Sequence, residues 1–521
     1  MKTGRTRGTR RLFYALSVTA AMAAPTKRVH LSRKGQRLFA LSTLAAALLA
    51  ACGGGGGGGG ANGDSQALSV DSPKQILALG MPGDPIDAGV TGMTLVSETR
   101  VDRTTYDYVY KLTVKNGTQP QTATVATLTS TGPGTTIVDG SSSVGSLAAG
   151  ASATPADTIT VRHDRTQPFN SAALTFKVVG NMTNAPSAIK MVWFGITNWH
   201  YQIGDVGILL DGETRNAALQ QESVTKALNS LKREGTIDVI LVGHDHGDHS
   251  NQVPGWAAQT GKPVYASGGV CTKLRNLGLP DSQCTTLLGG ETIKLGDFVT
   301  VRAVRWVHSN DCGEFSNGTG GIETFGYLLT ARSNEMDKVL NLYVSDSGAG
   351  GLDLTTPRRV GTTAYGSPIE NLRAAMLAAG LNKLAIWQGG PESRMVNQAK
   401  LVVPTFHVET FMPHHLNARG NDQANFNLLY GMHYAYGIND QPMLNSFLQS
   451  QGVPQVFPTN YFDAWTYGTN GIVKIPNTAM KADYGLPPEG PGPGVQGPNP
   501  RLGDLECSGD GDPFVPMPAP L

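Results

Sequence analysis

Between His244 and His249 the sequence reads HDHGDH, which places three imidazoles and the Asp248 carboxylate within six residues. Neutral imidazole and carboxylate are common zinc ligands, and a bound cation offsets the cost of gathering polar groups in one small volume. The chain has 11 histidines in 521 residues, so three in six positions point to a metal turn rather than a solvated loop. Gly247, between the two ligand pairs, is expected to lend the backbone the freedom of a tight turn. Residues 237–242, just before the turn, are an apolar run that reads as a buried strand. A loop leaving a rigid strand end can aim several side chains at one point.

The elements around the turn read as layered α/β, with apolar strands alternating with helical stretches at 222–233 and 371–379. The H-x-H-x-D-H pattern resembles the signature of the metallo-beta-lactamase superfamily, and further motifs follow the superfamily's order. GDVGILLDGE sets Asp211 at the end of an apolar run. FVTVRAVRWVHS ends an alternating strand on His308, and LNLYVSDSG ends another on Asp346. VETFMPHHLNA supplies a last histidine, where P-x-H spacing favours His415 over His414.

The resemblance covers residues 189–481 and implies an αββα sandwich, two packed sheets with helices outside and metals at one edge. It implies that His244, His246 and His308 hold one metal, that Asp248, His249 and His415 hold a second, and that Asp346 bridges them. Two zinc ions are the expected cofactors, with manganese or iron as alternatives. The implied nucleophile is a hydroxide between the metals. Asp248 is the candidate catalytic residue, taking or relaying a proton, and Asp211 is expected to orient a ligating histidine. Many beta-lactamases of this fold carry a cysteine or a non-ligating residue where Asp346 stands; an aspartate is more similar to hydrolases of thioesters, lactones and phosphodiesters. Oxygen-reducing relatives carry an acid where this chain has His246, which disfavours redox chemistry. FMPHH with a later NYFD is most similar to the branch holding ascorbate-phosphate lactonase and the phospholipase D of N-acyl phosphatidylethanolamine.

Ten of the 41 Lys and Arg fall in residues 1–51, which hold no acid, so the remainder carries 31 basic against 40 acidic residues. With no basic patch, nucleic acid is not an expected partner. Residues 1–51 read as a signal peptide, with basic residues Lys27 to Arg37 before an apolar stretch 38–51 and Met22 as the better start. Leu49-Ala50-Ala51-Cys52 resembles the bacterial lipobox, in which the cysteine is lipidated; this implies an exported protein anchored to a bacterial membrane. Eight glycines at 53–60 then begin a flexible tether, 52–74.

Residues 75–186 read as all-β. Every second residue from Tyr106 to Val114 is large and apolar or aromatic, and further strands are expected at 122–129, 157–162 and 172–179. Several short strands in about a hundred residues suit an immunoglobulin-like sandwich. His163 and Asp164 read as a loop pair without catalytic role. The hydrolase domain spans 187–484. Within it, 417–468 is rich in aromatics (Tyr430, His433, Tyr434, Tyr436) and reads as a helical lid or as a stabilising cap. Residues 485–521 form a Pro/Gly-rich tail expected to be disordered. In an exported chain the cysteines besides Cys52 suggest two disulfides, Cys271–Cys284 and Cys312–Cys507.

The fold class expected is therefore α/β, a metallo-beta-lactamase sandwich preceded by a small all-β domain. The expected function is metal-dependent hydrolysis of an ester-type bond in a small or lipid-like substrate. The competing reading is a surface-displayed binding protein that uses the hydrolase fold as a scaffold.

Overall fold

The structure is a computed structural model and describes residues 88–214, 220–233, 235–307, 324–335, 338–345, 352–360, 363–389, 395–418, 432–434 and 441–490. The leader, Cys52, the glycine tether, His308, Cys312, Asp346, Tyr430, Tyr436 and Cys507 lie outside the described residues, as does the tail beyond 490.

Residues 89–182 form two antiparallel sheets. One has the order Gly89–Arg100, Thr105–Lys115, Thr158–Asp164, Thr135–Asp139, with Ser152–Ala153 also paired to Thr105–Lys115. The other has the order Ser141–Leu147, Gln121–Ser130, Thr175–Met182. Successive side chains of a strand point to opposite faces, so Tyr108, Tyr110, Leu112 and Val114 all enter one core with Leu128, Ile159 and Val161. The strand expected from 172 begins only at Thr175, because Ser171–Ala173 winds into a 3-10 turn whose Ala172 N–H donates to Asn170 Oδ1 at 3.1 Å. His163 and Asp164 end a strand rather than sit in a loop. The His163 ring is buried, with Nδ1 2.9 Å from Thr135 Oγ1 and Nε2 2.9 Å from Gln167 O, a structural role.

From Ala188 onward two mixed sheets form. The eight-stranded sheet runs Cys284–Thr286, Val264–Ala266, Val239–Leu241, Val206–Leu210, Asn198–Ile203, Ala188–Gly195, Ala464–Gly468, Gly471–Ile475. The six-stranded sheet runs Thr292–Leu295, Val299–Arg305, Phe325–Arg332, Val339–Val344, Ile386–Gly389, Phe411–Pro413. Val206–Leu210, Val239–Leu241 and Val264–Ala266 are parallel neighbours. Parallel strands are covered on both faces, which is why they read as runs of Val, Ile and Leu. The run at 237–242 is hydrogen-bonded as a strand over Val239–Leu241 only, with Ile237 and Val242 buried on either side.

Helices Gln220–Leu231, Val253–Thr260, Gly268–Asn276 and Pro368–Ala378 join the strands. The two sheets share one hydrophobic core, and polar bridges cross it. Tyr201 O–H donates to Gln388 Oε1 at 2.5 Å, and Trp199 Nε1–H donates to His414 Nδ1 at 3.2 Å. Buried hydroxyl and indole groups need such partners.

Part of the stretch 417–468, expected as a helical lid or a stabilising cap, lies outside the described residues. Leu416–Ala418 pairs antiparallel with Met432–Tyr434, and helix Gln441–Ser450 follows. Tyr461 and Phe462 are buried, and Tyr461 stacks on Trp193 with ring centroids 5.6 Å apart. NYFD therefore belongs to the core, and it leads into Ala464–Gly468 beside Ala188–Gly195.

Candidate metal centre

The histidine turn is rooted in both sheets. At its base the Gly243 N–H donates to Asp211 Oδ1 at 2.8 Å, and Gly243 O accepts from Phe325 N at 2.9 Å. Tyr327 O–H donates to Val242 O at 2.8 Å. His246 then caps a single helical turn, Gly247–Ser250, in which His249 N and Ser250 N donate back to His246 O. Gly247 opens this turn without a left-handed φ, contrary to the freedom expected of it; what its lack of a side chain spares is a close approach to the Asn251 amide.

The turn gathers its side chains. Ring centroids lie 4.4 Å apart for His244 and His246, and 3.9 Å apart for His244 and His249. His415 arrives from the other sheet, two residues after Phe411–Pro413, and its ring centroid is 6.0 Å from that of His249. The ligand atoms of Asp248, His249 and His415 all lie within 4.8 Å of one another.

His415 has φ 59°, a left-handed conformation that costs a non-glycine residue roughly 1–3 kcal/mol. Its N–H donates to Ile196 O at 2.9 Å, which pins the strained residue to the eight-stranded sheet. His414 is directed elsewhere, its Nδ1 engaged by Trp199, and stands outside the cluster.

Asp211 also has a left-handed φ, 59°, and is buried. Its Oδ2 accepts from Thr197 Oγ1 at 2.7 Å and from His249 Nδ1 at 2.8 Å. Thr197 Oγ1 lies 2.8 Å from the same ring nitrogen, so the Nδ1 proton is held between hydroxyl and carboxylate. His249 Nε2 is thereby the nitrogen that faces Asp248, 3.9 Å from Oδ2. Asn198 Nδ2 donates to Asp248 O at 3.2 Å and Asn198 Oδ1 accepts from Glu213 N at 2.7 Å, tying the turn to the Asp211 loop. Burial raises the Asp248 carboxyl, but His249, His415 and His244 outweigh it and hold the group below the usual carboxylate range.

Thr197 and Asn198 carry no spacing signal in the sequence. They reach the site because the hairpin of Ala188–Gly195 and Asn198–Ile203 turns there. The strands leading towards His308 and Asp346 end close by. Arg305 pairs with Phe325, whose amide bonds Gly243, and Val344 pairs with Tyr327, whose hydroxyl bonds Val242.

This donor set fits a metal. Four imidazoles and a carboxylate, from two sheets, are brought to one place, and one imidazole has its outward nitrogen fixed by a buried acid. Cys271 and Cys284 are joined as a disulfide at the edge of the same sheet. A cavity of about 660 Å³ lies elsewhere, between the all-β segment and the turn after Phe325–Arg332, and includes none of these histidines.

Residues 208–350 match the family described as beta-lactamase superfamily domain. A metal-dependent hydrolase from Pyrobaculum arsenaticum is 29% identical over 125 residues, 24% of this chain and 53% of that protein. One from Cupriavidus taiwanensis is 36% identical over 104 residues, 18% of this chain and 36% of that protein. The chain thus spans about half the length, or less, of these curated relatives. A solved metallo hydrolase from Ignicoccus hospitalis aligns over 54% of this chain and 98% of its own, with 15% identity and a TM-score of 0.35. The segment that carries the histidine turn is thus similar to a beta-lactamase superfamily domain and to part of these metal-dependent hydrolases.

Proposed function

We propose that the protein is a hydrolase that works on an ester-type bond, a phosphodiester, lactone or thioester, with two metal ions held by His244, His246, His308, Asp248, His249, His415 and Asp346. The observation that carries the reading is the convergence of Asp248, His249 and His415 beside the His244–His246 pair. A zinc pair would supply a water acidified to a nucleophile near neutral pH and a Lewis acid for the carbonyl or phosphoryl oxygen.

The chain's own groups do the rest. Asp211 and Thr197 keep the His249 proton on Nδ1. Asp248, whose carboxylate lies 3.9 Å from His249 Nε2, is the residue assigned to take or relay a proton. Asn198 holds the Asp248 backbone in place. A binding scaffold has no use for a buried acid that fixes one imidazole tautomer, which favours the enzyme.

The same proposal takes the fold as the αββα sandwich, the two-sheet segment as an immunoglobulin-like spacer, and Cys52 as the lipid anchor of an exported protein. The lipobox-like residues and the glycine run support the anchor. The test is a panel of phosphodiesters, lactones, thioesters and beta-lactams, run on protein stripped with chelator and then reloaded with zinc. Turnover that returns with zinc and is lost in His249→Ala is expected. Metal-loaded, folded protein that turns over none of the four classes overturns the reading.

A further inference from the structure

The metal turn is closed by an amine that belongs to none of the motifs above. Lys273 lies on helix Gly268–Asn276, and its Nζ donates to Asp245 O at 2.5 Å and to Ser250 Oγ at 2.8 Å. Asp245 separates His244 from His246, and Ser250 follows His249 directly. One ammonium therefore fastens both ends of the H-x-H-x-D-H segment. Ser250 Oγ accepts from Lys273 and its O–H donates to His246 O at 2.9 Å, so the clamp reaches the carbonyl on which the helical turn is built.

The helix that presents Lys273 is itself fixed at its start. The Val270 N–H donates to Ser267 Oγ at 3.1 Å, and Cys271 is bonded to Cys284 on the edge strand Cys284–Thr286. Lys273 is half-buried; burial disfavours its charge, and the Asp245 and Asp248 carboxylates act in its favour. The two hydrogen bonds further offset the cost of burying the ammonium.

We infer that Lys273 is a positioning residue for the metal-binding turn, holding His244 and His246 at a fixed spacing from Asp248 and His249. The inference rests on the metal reading above. Groups that orient metal ligands change metal affinity roughly 10- to 100-fold when removed.

The test is zinc affinity of the whole protein by chelator competition, with the visible spectrum of the cobalt-loaded form as a report on ligand geometry. Lys273→Met is expected to weaken zinc binding roughly 10- to 100-fold and to alter the cobalt spectrum. Lys273→Arg, which keeps the charge and the donors, is expected to recover most of the affinity. The melting temperature of metal-free protein should change little across the series, which separates positioning from bulk stability. If Lys273→Met does not fold, Ser250→Ala removes one anchor of the clamp, keeps the charge and carries the same expectation. Zinc binding by a folded variant that is unchanged, or tighter because a like charge has gone, overturns the inference. Wild-type protein that takes up no zinc sinks the metal reading itself.

Discussion

His249 donates its Nδ1–H to the buried Asp211 carboxylate at 2.8 Å, and that bond leaves Nε2 as the nitrogen that meets Asp248. The same carboxylate accepts the Gly243 N–H, so one side chain sets both the root of the histidine turn and the orientation of its last imidazole. Asp211→Asn puts an amide where a carboxylate received a proton. Zinc affinity by chelator competition should fall roughly 10- to 100-fold, with the fold retained. Unchanged affinity would show that the bond does not orient a ligand.

His200 makes the protein sensitive to acid away from the metal. Burial pulls its pKa down to about 4, against a raising contribution from the Thr236 carbonyl that Nε2 meets at 2.7 Å; Lys190 lowers it further and Asp238 raises it. The folded value lies below that of the unfolded chain, so the unfolded state takes up the extra proton between these limits. Stability is therefore lost as pH falls from about 6.5 to about 4, by about 3 kcal/mol in all. Denaturant unfolding of His200→Gln beside wild type should show a flatter pH dependence over that window. Parallel curves would contradict it.

Lys481 and Asp463 form a buried ion pair at 2.6 Å behind the core aromatics, with the Thr459 and Asn460 N–H groups also donating to Asp463. Removing one partner of a buried pair strands the other and typically costs about 3–5 kcal/mol. Lys474, 3.3 Å from Asp463 Oδ2, offsets part of that loss. Lys481→Met should therefore cost about 3 kcal/mol in denaturant unfolding, and Lys481→Met with Asp463→Leu should cost less than the two singles added. Additive losses would mean the pair is not the stabilising unit.

The Cys271–Cys284 bond closes a loop with a sequence separation of 13. Cross-linking so short a loop is worth about 3 kcal/mol in the chain-entropy account. Cys271→Ser with Cys284→Ser should lower stability by about that amount. A change below about 0.5 kcal/mol, within the range of ordinary surface substitutions, would show that native contacts already fix helix Gly268–Asn276.

How much was legible in the sequence follows from how far apart the partners are. His244, His246, Asp248 and His249 are near neighbours in the chain, so residue type and spacing alone suggest their meeting. His415 stood out from His414 through one proline, and the structure sends His414 to Trp199 instead. Thr197, Asn198 and Lys273 were invisible, because strand pairing and a helix after the next strand carry them in from a distance. The alternation at 106–114 could be read because a strand with one buried face shows its period. The 3-10 turn at Ser171–Ala173 could not, since it depends on how one asparagine caps its neighbours. Whether the aromatics of 417–468 form a lid or a cap stayed open in the sequence, because aromatics serve cores and binding walls alike; burial places Tyr461 and Phe462 in the core.

The central claim is that these residues hold a pair of metal ions, and elemental analysis of the purified protein, prepared without chelator, tests it most directly. About two zinc (or manganese or iron) per chain, falling sharply in His246→Ala and in His249→Ala, is the result predicted. A folded protein that carries no metal and takes up none on dialysis against zinc would contradict it.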